Sequence, residues 1–271
     1  MGLAAVLVCQ RAWADMLAIA MRDEDSAHIL LVPFVVLWLA AVRRDRIRHC
    51  PPRGEWIGPI IVAGGGAVSW YGFSSGFHAL WHGGAVLVMI GAVLSALGLR
   101  VLVRFLPAFV AVLFVIPVPQ AVRSEVPIPL QTATAQATQS LLELFGVAVG
   151  RSGNLLYLND LPVEIAESSN GMRMAFALVL VSYAYAFATP LKGYVRGLIL
   201  LLSPLTAIAL NVMRLTPTVL LYAHSNFGLA QAFDRVSGWL MLLVAFLLLV
   251  GVIRLLRWAM LPVSRFTLAH D

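Results

Sequence analysis

The chain has 271 residues, 61% of them hydrophobic and 12% charged, with a formal net charge of +6. Soluble domains carry about 25% charged residues, so this composition excludes an ordinary water-soluble domain and points to a membrane protein. Two cysteines, Cys9 and Cys50, exclude a disulfide framework, and the basic residues flank apolar runs instead of forming a nucleic-acid-binding face.

About eight apolar runs are long enough to cross a hydrocarbon core ~30 Å thick. The first, residues 3–20, contains Arg11 and Asp15, which are four apart and expected either to pair or to face the bundle interior. The same two charges, with no cleavage site after them, argue against a signal peptide. An acidic break, Asp23-Glu24-Asp25, precedes His28 and the second run, 27–42, which stops at Arg43-Arg44. The third run, 56–73, holds Gly64-Gly65-Gly66, which would allow close helix approach. The fourth covers 78–98 and stops before Arg100 and Arg104; the fifth, 105–118, ends at Pro117 and Pro119.

Residues 119–168 are the one long stretch that reads as non-spanning. Pro127 and Pro129 punctuate it, and an amphipathic pattern near 133–147, with Leu141, Leu142, Leu144 and Phe145, suits the membrane interface. Alternating apolar and polar residues from Gly146 to Leu161, with Gly150 and Gly153, predict a short hairpin or strand-like arm. The sixth run is 172–189, the seventh 194–213 and the eighth 237–256.

With both ends inside, twelve of the nineteen basic residues fall in cytoplasmic loops, among them Arg43, Arg44, Arg46, Arg104, Lys192 and Arg196. Six fall outside: Arg22, Arg123, Arg151, Arg173, Arg214 and Arg235. This bias predicts the orientation. It brings three polar places to the outer face.

The most polar of these ends the stretch Asp160 to Arg173, DLPVEIAESSNGMR, where Glu164, Glu167, Ser168, Ser169, Asn170 and Arg173 crowd together. Hydroxyls, carboxylates and a guanidinium at the mouth of a membrane helix are costly and commonly mark a site. A capped helix start, with Ser168 or Ser169 as N-cap, accounts for them equally well. The second place is Asn211-Val212-Met213-Arg214, whose Asn and Arg share one helix face near a membrane boundary. The third, Phe233-Asp234-Arg235-Val236-Ser237-Gly238-Trp239, opens the last run. Singly, each has a structural explanation: snorkelling for Asn211 and Arg214, capping or pairing with Arg235 for Asp234, an interfacial belt for Trp239.

In order along the chain, these motifs resemble those of the exosortase/archaeosortase family, multi-spanning enzymes that process proteins bearing a C-terminal sorting signal. The family's Glu-Ala-Cys-Ser-Gly-Leu-Arg-like motif corresponds to Glu167-Ser168-Ser169-Asn170-Gly171-Met172-Arg173, and its Asn-x-x-Arg motif to Asn211 through Arg214. Its His four residues before a Gly corresponds to Asp234 before Gly238. The Asp25-Ser26-Ala27-His28 stretch also matches. Two departures stand out: Ser169 takes the place of the nucleophilic Cys, and Asp234 that of the His.

The resemblance implies one integral-membrane domain, 1–271, an all-α bundle of about eight spans with an outer-face segment at 119–168. It implies a catalytic set Ser169, Arg214 and Asp234, supported by Glu167, Asn170, Gly171, Arg173, Asn211 and Gly238. His224 is a lower-ranked base, ten residues before the matched position. A serine hydroxyl needs a partner to take its proton, and an unperturbed carboxylate with pKa about 4 is a weak base. The set is therefore either an altered catalytic pair or the mark of a silent relative. No cofactor and no metal site are expected. The implied partners are exported proteins with a C-terminal motif, a hydrophobic helix and a basic tail, and the lipid bilayer, with no nucleic acid. The implied location is the inner membrane, multi-pass, with the site facing outside. A binder of sorting-signal helices and a small transporter using Arg11, Asp15 and Arg214 are the competing readings.

Overall fold

The computed structural model describes residues 7–49, 54–119, 127–153, 155–158, 161–164, 172–224 and 228–230, with single positions between 122 and 258. The packing divides the chain into two compact units, Met1–Gln120 and Ala121–Asp271.

The first unit is helical. Helix α1 (Gln10–Arg22) buries Ala12, Met16 and Ala20, a stripe at four-residue spacing that makes one face apolar and inward. Asp23 then ends it and caps a 3-10 helix, Glu24–Leu31: its carboxylate accepts from the Asp25 amide at 3.2 Å and from Ser26 Oγ at 2.8 Å. Buried Ser26 and His28 are thus held by a local turn, with the Asp25 carbonyl 3.0 Å from His28 Nδ1. That turn accounts for the Asp25-to-His28 match in structural terms. Helices α2 (Val32–Val42), α3 (Ile57–Ser74), α4 (His78–Leu97), α5 (Leu99–Arg104) and α6 (Leu106–Leu113) follow. Val86, Ile90 and Leu94 of α4 form the centre, packed by Trp13 of α1, Val36 of α2, Ile61 of α3 and Val112 of α6.

Close approach of α3 and α4 rests on glycine. Gly58, Gly65 and Gly72 recur every seven residues on α3 and are buried against α4. A Cβ on Gly65 would come within 2.9 Å of Leu87 Cβ and the Val88 nitrogen; on Gly58 or Gly72 it would run into the backbone of Ser95 or Trp81. Of the Gly64-Gly65-Gly66 triplet only Gly65 is in this contact, and its neighbours face open space. Arg104, the last residue of α5, donates to the Arg46 carbonyl at 3.4 Å.

The second unit begins with the segment expected to be non-spanning. It holds a helix, α7 (Pro127–Leu144), and a three-stranded antiparallel sheet in order β1 (Gly150–Ser152), β2 (Leu155–Leu158), β3 (Leu161–Glu164). The sequence predicted the strands but one fewer, because β3 overlaps the polar stretch that starts at Asp160. Gly146, at φ +79°, stops α7: its amide bonds the Glu143 carbonyl and that of Val147 bonds Leu142, a Schellman closure. Gln139 ties sheet to helix, donating to Glu143 at 2.9 Å and to the Val149 carbonyl at 3.3 Å while accepting from Arg151 at 3.2 Å. Helices α8 (Met172–Ala188) and α9 (Gly193–His224) then form an antiparallel hairpin closed around Leu191. Every described position from 228 to 258 is helical.

Among the described residues, three helical stretches are long and apolar enough to cross a membrane: Asp25–Val42, His78–Leu97 and Gly193–Leu221, with Ala175–Ala188 a shorter one. This is a helical membrane protein. Of the fifth expected run, 105–118, only Leu106–Leu113 is helical, about 12 Å of helix. The eighth run lies largely outside the described residues. Apolar side chains face outward, including Phe34, Ile60, Trp70, Leu201 and Leu205, whereas Ser182, Ser203, Thr216 and Thr218 are buried. Lipid in place of water explains that inversion.

Candidate active site

Helix α9 supplies the site's most secure residues. Ser203, Ala207, Leu210, Asn211, Arg214 and Thr218 recur at three- to four-residue spacing and are all buried, forming the inward stripe. Asn211 is 1% and Arg214 5% exposed, while Met213 between them is 55% exposed and faces outward. The shared face expected of the Asn-x-x-Arg pair is present. Its depth differs from the expectation. The seventh run was expected to end at 213, yet α9 continues ten residues past Arg214 to His224, and the apolar stretch runs to Leu221. The pair therefore stands within the helix instead of at its end.

Two prolines, Pro204 and Pro217, lie inside α9. Each lacks the N–H that would close a turn. Hydroxyls beside them bond back to the helix backbone: Ser203 donates to the Ile199 carbonyl at 2.7 Å, Thr216 to Val212 and Thr218 to Arg214, both at 2.8 Å. They also fix the backbone on which Arg214 is mounted.

Packing then brings the other elements to this level. Leu178 and Ala175 near the start of α8 pack on Ala207 and Leu210, together with Val244 from the last helical stretch. Since the hairpin is antiparallel, the first turn of α8, at Met172, stands level with Asn211 and Arg214. On the other side, Leu215 and Val219 pack on Ala135 and Leu142 of α7, Val149, and Leu156 of β2. Arg214 thus sits between the α8 contact and the α7–sheet contact. Strand β3 also touches α9. The seven residues 165–171 run from the end of β3 to the start of α8, both anchored on α9.

Those seven residues include Glu167, Ser169, Asn170 and Gly171, which lie outside the described residues, as do Asp234 and Gly238. Arg173 belongs to the first turn of α8, and His224 ends α9. Of the expected set, the structure therefore places Arg214 and Asn211 and leaves the grouping with Ser169 and Asp234 to be tested.

Sequence reasoning missed the polar face of α7. Gln131, Thr134 and Thr138 are buried beside Ala135 and Leu142, whereas Leu144 and Phe145 are 82% and 71% exposed. The expected apolar face is thus divided, Leu142 inward and Leu144 and Phe145 outward, and the polar residues turn inward beside Leu142. The spacing Gln131-Thr134-Thr138 was a readable signal, provided that lipid is taken as the outer solvent.

The fold defines a polytopic helical membrane protein with a polar stripe buried in its interior. Residues 13–251 match the model of the transmembrane exosortase (EpsH) family, and the chain belongs to that family. Membership supports a transpeptidase-like role in the membrane as the general function class. No curated protein and no solved structure matches the chain significantly.

Proposed function

We propose that the protein is a membrane-embedded protease or transpeptidase that cleaves the C-terminal sorting signal of exported proteins at the outer face of the inner membrane. The observation that carries this reading is Arg214, buried on α9 at the level of the first turn of α8. Ser169 Oγ attacks the scissile carbonyl carbon, Asp234 takes the hydroxyl proton, and Arg214 faces the oxyanion. Collapse breaks the peptide bond. The signal's new amine leaves with the proton from Asp234, and the substrate stays as an ester on Ser169 until an acceptor nucleophile or water attacks it. Glu167, Asn170, Gly171, Arg173, Asn211 and Gly238 support this set.

The partner is an exported protein with a short motif, a hydrophobic helix and a basic tail, which packs laterally in the bilayer. Orientation has support from within the hairpin: Lys192 and Arg196 lie at its turn, and the Ser169 motif at the opposite end. Basic residues mark the cytoplasmic side, so the motif end faces out.

A second reading rests on the Ser and Asp that replace the family's Cys and His: a silent relative that holds the signal helix without cutting it. Labelling of membranes by a serine-reactive probe separates the two. The enzyme reading requires labelling that Ser169→Ala removes; labelling that survives Ser169→Ala contradicts it.

A further inference from the structure

The first unit contains a cluster that none of the family motifs includes. His78 and His82 stand four apart on α4, one turn from each other on the same face, with ring centroids 6.0 Å apart. Asp15 comes from α1, 67 residues away, and its Oδ2 lies 2.9 Å from His82 Nε2. One ligand atom from each of Asp15, His78 and His82 falls within 4.8 Å of the others. The sequence suggested that Asp15 would pair with Arg11 or face the interior; Arg11 is exposed, and Asp15 meets His82 instead.

We propose that Asp15, His78 and His82 bind a divalent transition-metal ion, zinc foremost, which ties α1 to α4. Two histidines at i and i+4 on one helix face are a recurrent zinc pair, because one helical turn sets their nitrogens a coordination sphere apart. Bonds of about 2.0–2.2 Å in a tetrahedral site separate ligand atoms by roughly 3.3–3.5 Å, so the cluster needs small side-chain shifts and no backbone movement. The ligand set of two imidazoles and one carboxylate suits zinc over calcium or magnesium, which prefer all-oxygen shells.

The surroundings favour a held site. His82 is fully buried, and the Trp81 ring stacks on it at 4.9 Å. Its Nδ1 has no hydrogen-bond partner, so Asp15 makes the ring's one hydrogen bond, and metal insertion at Nε2 replaces that bond without breaking others. His78 is exposed at the first residue of α4, the end of that apolar span, and Asp15 is 38% exposed, so the fourth coordination position is open on that side. Water completes the shell.

The test uses the full chain in detergent or nanodiscs, with an affinity tag free of histidine. After stripping with a chelator, zinc is titrated against a chromophoric competitor, and cobalt is followed by its visible absorption. One zinc per chain is expected. Removing one of three ligands should weaken binding by about 10- to 100-fold or more in His78→Ala and Asp15→Asn, with loss of the cobalt bands. His78 is exposed, so His78→Ala keeps its helical circular dichroism even where Asp15→Asn does not fold. A wild-type chain that takes up no stoichiometric zinc, or binds it as tightly as His78→Ala does, overturns the proposal.

Discussion

Asn211 and Arg214 stand one turn apart on the buried face of α9, and the helix carries on for ten residues beyond them. An arginine so deep in a membrane helix is retained only where charge is used or paired. Along α9 it lies between the α8 contact at Leu210 and the α7–sheet contact at Leu215.

Arg214→Lys and Arg214→Ala should therefore both lose substrate processing. Removing an oxyanion donor costs about 100- to 1,000-fold in rate, and a lysine lacks the planar fork that aims two donors at once. Met213→Ala, one residue away but facing outward, should process as wild type does. The check is the cleavage rate of a tagged substrate at matched membrane levels of each variant. Equal loss in Met213→Ala would assign the effect to helix packing.

The α3–α4 contact makes a sharper stability test. Gly65→Ala forces a methyl into the Leu87–Val88 backbone and should destabilise the first unit by about 1–3 kcal/mol. Gly64→Ala meets nothing within 4 Å and should stabilise it by about 0.5–1 kcal/mol, since alanine loses less backbone entropy in a helix. Unfolding in graded SDS measures both.

Legibility from the sequence divides along physical lines. The helices of α2, α3, α4 and α8 follow from apolar runs, and the β1–β2 hairpin from alternation around Gly153, which takes φ +61°. Hydropathy reports length, however, and not which face packs. It showed the glycine triplet but not that Gly65 alone makes the contact, and it stopped the seventh run at Arg214 because a charge lowers the average. The polar face of α7 was hidden for the opposite reason, since a soluble helix would turn Gln131, Thr134 and Thr138 outward. The Asp15–His82 pair joins residues 67 apart and has no local periodicity to reveal it.

The proposed topology rests on the charge bias and can be tested directly. A cysteine at position 154, between β1 and β2 in the sequence, should label from outside in intact cells, and one at position 48 should label only after permeabilisation. Labelling of position 48 but not 154 from outside would invert the orientation.

The central claim is that Ser169 is the nucleophile, and one comparison tests it most directly. A host carries a tagged substrate with the sorting signal, and processing is scored for wild type, Ser169→Ala and the double variant Ser169→Cys with Asp234→His. The account predicts processing by wild type that Ser169→Ala abolishes. Processing by the double variant alone would show that the native chain binds without cutting, and undiminished processing by Ser169→Ala would contradict the claim outright.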